Sequence, residues 1–277
     1  MNVERISAPG FEGYVKSEIG GRKENQDSYG WISAPVGLIV TVCDGMGGGP
    51  AGKMASSISV DSILKFMIDV KNQRMQVEEL VVKAIEYANL CVYEKACAQP
   101  ELMGMGSTCT VLVLKMGTAV LAHVGDSRIY QLRGHKKVFR TFDHSLVFEL
   151  VKQKVITEEQ ARQSSQSNII TRALGLKDKV EIDITTLEFK RGDRFMLSSD
   201  GIHGSMPEKD LLEIVSDRQQ TVGDIVAQLA AKVDEMGKEK GGGHDNMTLV
   251  LIDCNEESVP GSDGFFGKIC DFFKNMF

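Results

Sequence analysis

The sequence predicts an α+β fold built on antiparallel sheets, and three observations carry that prediction. Nine apolar, strand-like segments mostly follow one another without a helix between them, the habit of antiparallel rather than βαβ sheets. Two longer stretches instead repeat apolar residues at helical spacing. Carboxylates also stand at strand ends of opposite polarity: Asp44 and Asp200 close apolar runs and are each followed by glycine, whereas Asp245 comes just before one. If all three share one sheet edge, the strand after Asp245 runs antiparallel to the other two.

The predicted strands lie at 14–17, 28–33, 38–43, 107–114, 119–124, 128–132, 180–187, 194–199 and 247–253. A helix is expected from Pro50 to about residue 70. A second is marked by Val77, Leu80, Val81, Ala84, Ile85, Ala88 and Val92 on one face, and a third by Val222, Ile225, Val226, Leu229, Ala230, Val233 and Met236. Thr157 with Gln160, and Ser205 with Glu208, read as capping boxes that open shorter helices. Residues 143–168 form an insertion with two short helices, placed to act as a lid. One catalytic-sized domain is expected over 1–254, then a linker at 255–264 and an amphipathic tail at 265–277, where Phe265, Phe266, Ile269, Phe272, Phe273 and Met276 share a face. That tail is read equally as a helix docked on its own domain or as a segment for a partner or membrane surface.

At 277 residues, 42% hydrophobic and 25% charged, the chain can bury a sizeable core. A net charge of −6 and the lack of long basic runs argue against nucleic acid. Residues 1–10 hold no apolar signal-peptide core, and no stretch is apolar for long enough to span a bilayer. A cytoplasmic protein is expected. Its six cysteines form no C-x-x-C pair, and Cys43 and Cys109 sit in apolar runs, so buried reduced thiols are expected.

Several carboxylates gathered at a sheet edge repel one another and are costly to bury without partners. A hard divalent cation, Mg2+ or Mn2+, resolves this, because it takes oxygen ligands and not thiols. The run Gly47–Lys53 imitates the G-x-x-x-x-G-K of a phosphate-binding loop, but Met54 stands where Ser or Thr is needed and Pro50 removes a cradling N–H. Arg22 and Asp27 instead bring a guanidinium fork, suited to phosphate, and a further acid close together ahead of a strand.

These residues carry a resemblance. RKENQD (Arg22 to Asp27), DGMGG (Asp44 to Gly48), GSTCT (Gly106 to Thr110), VGDSR (Val124 to Arg128), DHS (Asp143 to Ser145), ITRALG (Ile170 to Gly175), SSDG (Ser198 to Gly201) and DN (Asp245, Asn246) appear in order. Together they resemble the metal-dependent serine/threonine protein phosphatases of type 2C, the PPM family, in compact bacterial form. The resemblance implies a four-layer αββα sandwich, and it implies hydrolysis of phosphoserine and phosphothreonine by a metal-bridged water attacking phosphorus in line. It implies two Mn2+ or Mg2+ ions, with Asp44 bridging, the Gly45 carbonyl on one ion, Asp200 and Asp245 completing the first, and Asp27 close by through water. Gln26, where some relatives carry Glu, implies weaker hold on the second ion. Asp126 resembles a ligand of a third ion shared with Asp200, although Gly204 replaces a further acid found there in some members.

By the same resemblance Arg22 holds the phosphoryl oxygens, and Asn246 supports a neighbouring ligand from behind. Met46 stands where some relatives have a proton-donating histidine, so a metal-bound water is the expected donor, with His144 and His203 as the imidazoles to test. The insertion resembles the family's substrate-influencing flap. Phosphorylated proteins, a cognate Ser/Thr kinase and a signalling role are the implied partners and setting, for a monomer. Two other functions stay in play: a catalytically weak regulatory binding module, and a phosphatase for small phosphorylated metabolites.

Overall fold

The computed structural model describes residues 3–255 apart from Gly49 and Gln73, so the proposed tail, Cys270 and all of the proposed linker but Asn255 lie outside the described residues. Among the described residues twelve strands form two sheets in which every pairing is antiparallel. In chain order they are β1 (Glu4–Ala8), β2 (Phe11–Glu18), β3 (Asp27–Ala34), β4 (Gly37–Met46), β5 (Gly106–Ser107), β6 (Cys109–Lys115), β7 (Thr118–Val124), β8 (Arg128–Arg133), β9 (Lys136–Arg140), β10 (Asp183–Glu188), β11 (Asp193–Ser198) and β12 (Met247–Cys254). One sheet has the order β1-β2-β12-β11-β8-β9. The other runs β10-β7-β6-β4-β3, with the short β5 paired to β4.

Seven α-helices of the described residues accompany them: α1 (Pro50–Ile68), α2 (Val77–Ala98), α3 (Leu146–Lys152), α4 (Glu158–Arg162), α5 (Asp200–His203), α6 (Glu208–Val215) and α7 (Val222–Glu239). Side-chain alternation then assembles the layers. On β6, Leu112 and Leu114 face the other sheet, meeting Val250 and Ile252 of β12 and Phe195 and Leu197 of β11. Val111 and Val113, pointing the opposite way, pack under α1 and α2 with Ile63, Leu80 and Ile85. On the far side Met196, Leu249 and Leu251 pack against Leu211 of α6 and Ile225 and Leu229 of α7. The result is the αββα sandwich. Both faces of each sheet are covered, which is why its central strands read as continuous apolar runs although the sheets are antiparallel.

All nine expected strands are present, with three refinements. Thr108 interrupts the 107–114 segment and divides it into β5 and β6. Strands β1 and β9 have no counterpart in the reading above. Both are sheet edges, with only Ile6 buried in β1 and β9 beginning Lys136-Lys137, so they lack the apolar alternation that marks a strand. The first helix stops at Ile68.

Of the two expected capping boxes, Thr157 and Gln160 form theirs reciprocally. Ser205 does not: its hydroxyl donates to the Gly201 carbonyl, and α6 begins one turn later behind Pro207. The thiols of Cys43, Cys109 and Cys254 are buried and free, whereas Cys97 on α2 is exposed. No described helix is long and apolar enough to cross a membrane.

Candidate metal centre

Both sheets deliver carboxylates to the same end of the sandwich. Asp44 lies near the tip of β4, and its direct neighbour across the ladder is Asp27 at the start of β3. From the other sheet come Asp200, just past β11, and Asp245, just before β12, with β11 and β12 antiparallel as expected. The three acids therefore do not share a single sheet edge; the centre forms where the ends of two sheets meet. Asp126 joins from the turn between β7 and β8. Asp44, Asp126, Asp200, Asp245, Gly45 and Arg22 line one cavity of about 530 Å3.

Hydroxyls hold this cluster, and those of Ser199 and Thr248 had no role legible in the sequence. The Asp44 backbone is clamped from both directions: its N–H donates to Thr108 Oγ1 at 2.9 Å, and its carbonyl accepts from the Thr108 N–H at 2.8 Å and Ser107 Oγ at 3.0 Å. Asp27 Oδ2 accepts from Ser199 Oγ and Thr248 Oγ1, each at 2.7 Å. Ser199 follows β11 and Thr248 lies on β12, so the second sheet orients an acid of the first. At Gly45 the strand meets the first turn of α1 so closely that an added Cβ would stand 1.9 Å from the Gly52 carbonyl oxygen. The loop mimic resolves here as well: Lys53 turns back to donate to the Asp27 carbonyl at 2.7 Å and bonds Ser28 Oγ at 3.1 Å, a structural bond.

With one face tied down, the opposite oxygens are left over. Asp27 Oδ1 and Asp200 Oδ1 are buried without a hydrogen-bond partner. Burial first, and then the charges of neighbouring acids, push these groups toward their neutral forms. Asp44 and Asp200 are raised well above the usual carboxylate range, Asp126 to about 7 with Asp143 the largest charge contribution, and Asp27 to about 6. An all-oxygen donor set with unpartnered buried oxygens and mutually repelling charges fits hard divalent cations such as Mg2+ or Mn2+.

Arg22 stands at the mouth, its side chain 49% exposed, with Nη2 donating to Asp245 Oδ2 at 2.8 Å. Asn246 donates its backbone N–H to Asp245 Oδ1 at 2.9 Å, while its side-chain amide is given to backbone groups. It accepts from the Gln26 N–H and donates to the carbonyls of Ile19 and Glu24, fixing the loop that carries Arg22. Met46 lines the same cavity.

A second cavity of about 510 Å3 runs from Asp126, Asp200 and Asp245 beneath the 143–168 segment, whose two short helices are α3 and α4. That flap is pinned at Phe148, which lies between two guanidinium groups, Arg128 at 5.0 Å and Arg140 at 5.7 Å from the ring centroid. Arg128 is itself held by a bidentate pair with Asp143, both bonds 2.7 Å, and Arg140 bonds Glu158 of α4.

Neither histidine singled out by sequence is free to act on a leaving group. His203 is buried with Nδ1 against Ser198 Oγ, and burial with the nearby charges of Arg128 and Arg140 keeps it neutral. His144 accepts the Gly125 N–H at Nδ1, which directs its own proton from Nε2 toward Asp183. Nitrogens of His123 and His144 do converge with Asp183 within 4.8 Å, like a metal site. However, His123 donates Nε2 to the Phe142 carbonyl, and Arg172 stands 3.2 Å from His144 Nε2. Both Nε2 atoms are committed as donors and the Arg172 guanidinium already brings a positive charge there, so the cluster serves as a brace beneath the flap.

A family described as protein phosphatase 2C matches residues 16–236. Over 249 residues the chain is 32% identical to the protein phosphatase PhpP of Streptococcus pneumoniae, covering 88% of this chain and 97% of that one. The fold is similar to serine/threonine phosphatase Stp1 from Staphylococcus aureus, with a TM-score of 0.80 at 28% identity over 88% of this chain and 95% of that one. It is also similar to the catalytic domain of the serine/threonine protein phosphatase PstP in complex with two manganese ions, with a TM-score of 0.75 at 28% identity over 89% and 99% of the two chains.

Proposed function

The chain belongs to the protein phosphatase 2C family and is a protein serine/threonine phosphatase, and we propose that the reaction runs at the carboxylate cluster between the two sheet ends. The observation that carries this reading is the pair of buried, unpartnered oxygens on Asp27 and Asp200 within a five-carboxylate cluster. Asp44, Asp27, Asp200, Asp245 and the Gly45 carbonyl would hold two ions, with Asp126 and Asp200 available to a third. When bound, such ions act as Lewis acids on the phosphoryl oxygens and make a water nucleophile more acidic.

The chain's own residues supply the rest. Arg22, half-exposed and bonded to Asp245 at the mouth, can turn its fork to the phosphoryl oxygens and offset charge that grows in the transition state. Ser199, Thr248 and Thr108 keep Asp27 and Asp44 in place without reorganisation. His203 and His144 are committed to structural bonds, so the proton for the leaving alkoxide comes from solvent in the cavity. The likeness to protein serine/threonine phosphatases supports phosphorylated proteins as substrates and, with them, a cognate kinase. A monomeric catalytic domain over 1–254, with the flap at 143–168, and a cytoplasmic setting compatible with the free buried thiols complete the reading.

Phosphate release from a phosphothreonine peptide and from sugar phosphates, each with Mn2+, tests it. Turnover of the peptide is expected to dominate. A preference for sugar phosphates would instead favour the metabolite phosphatase, and no turnover of either would favour a regulatory binding module.

A further inference from the structure

Asp245 hangs between two anchored neighbours. Asn246, on one side, is bound into the Ile19–Gln26 loop as described. On the other side the chain arrives through Gly241, Gly242 and Gly243, all at positive φ and none crowded at the Cβ position, a run with little stiffness of its own. His244 ends that run. Its Nε2 meets Asp234 Oδ1 of α7 at 3.0 Å, and Asp234 is in turn paired with Lys238 one turn along. Its ring lies so close to the helix backbone that a Cβ on Gly237 would stand 2.2 Å from His244 Cγ. The His244 carbonyl accepts the Gly21 N–H at 2.9 Å, immediately before Arg22.

We propose that His244 is a positioning residue: seated on Gly237 and tied to Asp234, it fixes the metal-facing carboxylate of Asp245, and with it Arg22, against helix α7. The inference rests on the phosphatase reading above and adds α7 to the machinery. Rigid support behind a ligand narrows the orientations it samples before an ion binds. Loss of such a partner commonly weakens metal affinity by about 10- to 100-fold. Because Arg22 shares the Asp245 carboxylate and the loop that bonds His244, the same loss displaces the phosphoryl-binding fork.

The test is calorimetric Mn2+ binding to the chelator-treated chain without substrate, together with KM and kcat on a phosphothreonine peptide. Asp234→Leu and His244→Asn are expected to weaken Mn2+ binding about tenfold and raise KM. Asp234→Asn retains the oxygen that accepts from Nε2, so it is expected to recover most of the parent affinity. Parent-like Mn2+ affinity and KM in Asp234→Leu and His244→Asn, with only a lower Tm, would reduce His244 to a packing residue and overturn the proposal. So would an Asp234→Asn variant as impaired as Asp234→Leu. A parent chain that binds no Mn2+ and leaves the peptide intact would overturn the phosphatase reading, and the inference with it.

Discussion

At Asp44 a carboxylate faces four others, and burial first, then their charges, raise its proton affinity. Residues of this kind were legible because a strand end followed by glycine is a local pattern, visible at Asp44 and Asp200 alike. Ser199 and Thr248 were not, since a hydroxyl acquires its role only from a partner far along the chain; Thr248 is 221 positions from Asp27. The loop carbonyls of Ile19 and Glu24 that the Asn246 side chain serves were hidden for the same reason. Arg22 allows a sharp prediction at this scale. Arg22→Ala is expected to lose about 2–4 kcal/mol in kcat/KM on a phosphothreonine peptide. Arg22→Lys should recover only part, because an ammonium cannot reproduce the planar fork. Parent-like kinetics in both variants would leave Arg22 as the surface half of a salt bridge.

Among the elements, those with two-sided burial or strong periodicity were readable: β4, β6, α2 and α7 fall within a few residues of expectation. The edges β1 and β9 were not, because half-exposed charged strands carry no apolar signature. The flap was legible as an insertion, but what holds it was not, since Phe148 is clamped by arginines from β8 and β9. Phe148→Ala removes a buried ring and both cation contacts. It is expected to cost about 3 kcal/mol in local stability. Hydrogen exchange should show faster opening confined to 146–162, with a raised KM for peptide. Equal exchange changes across the whole sandwich would show that the flap unfolds only with the core.

For the whole molecule, the acid cluster makes stability depend on pH and metal together. Asp27 and Asp126 move from the ordinary 3.8 up to about 6 and about 7, so between those values the folded chain holds protons that the unfolded chain has released. The metal-free protein therefore loses stability as pH rises from about 4 to about 7, by up to about 1.4 kcal/mol per pH unit for each such proton. Melting of the chelated protein should show a lower Tm at pH 8 than at pH 5, and Mn2+ should raise Tm more at pH 8. A Tm of the chelated protein that climbs with pH would refute the electrostatic picture. Deletion after Glu257, outside the described residues, is expected to leave activity and Tm nearly unchanged, because the sandwich is closed by β12 at Cys254; an unfolded deletion would place the tail in the core.

These carboxylates are expected to act only with divalent ions between them. Phosphate release from a phosphothreonine peptide should be absent in the chelator-treated chain, rise to saturation as Mn2+ is titrated in, and stay absent at all Mn2+ concentrations in a folded Asp44→Asn variant. Undiminished release after chelation, or parent-like release by Asp44→Asn, would contradict it.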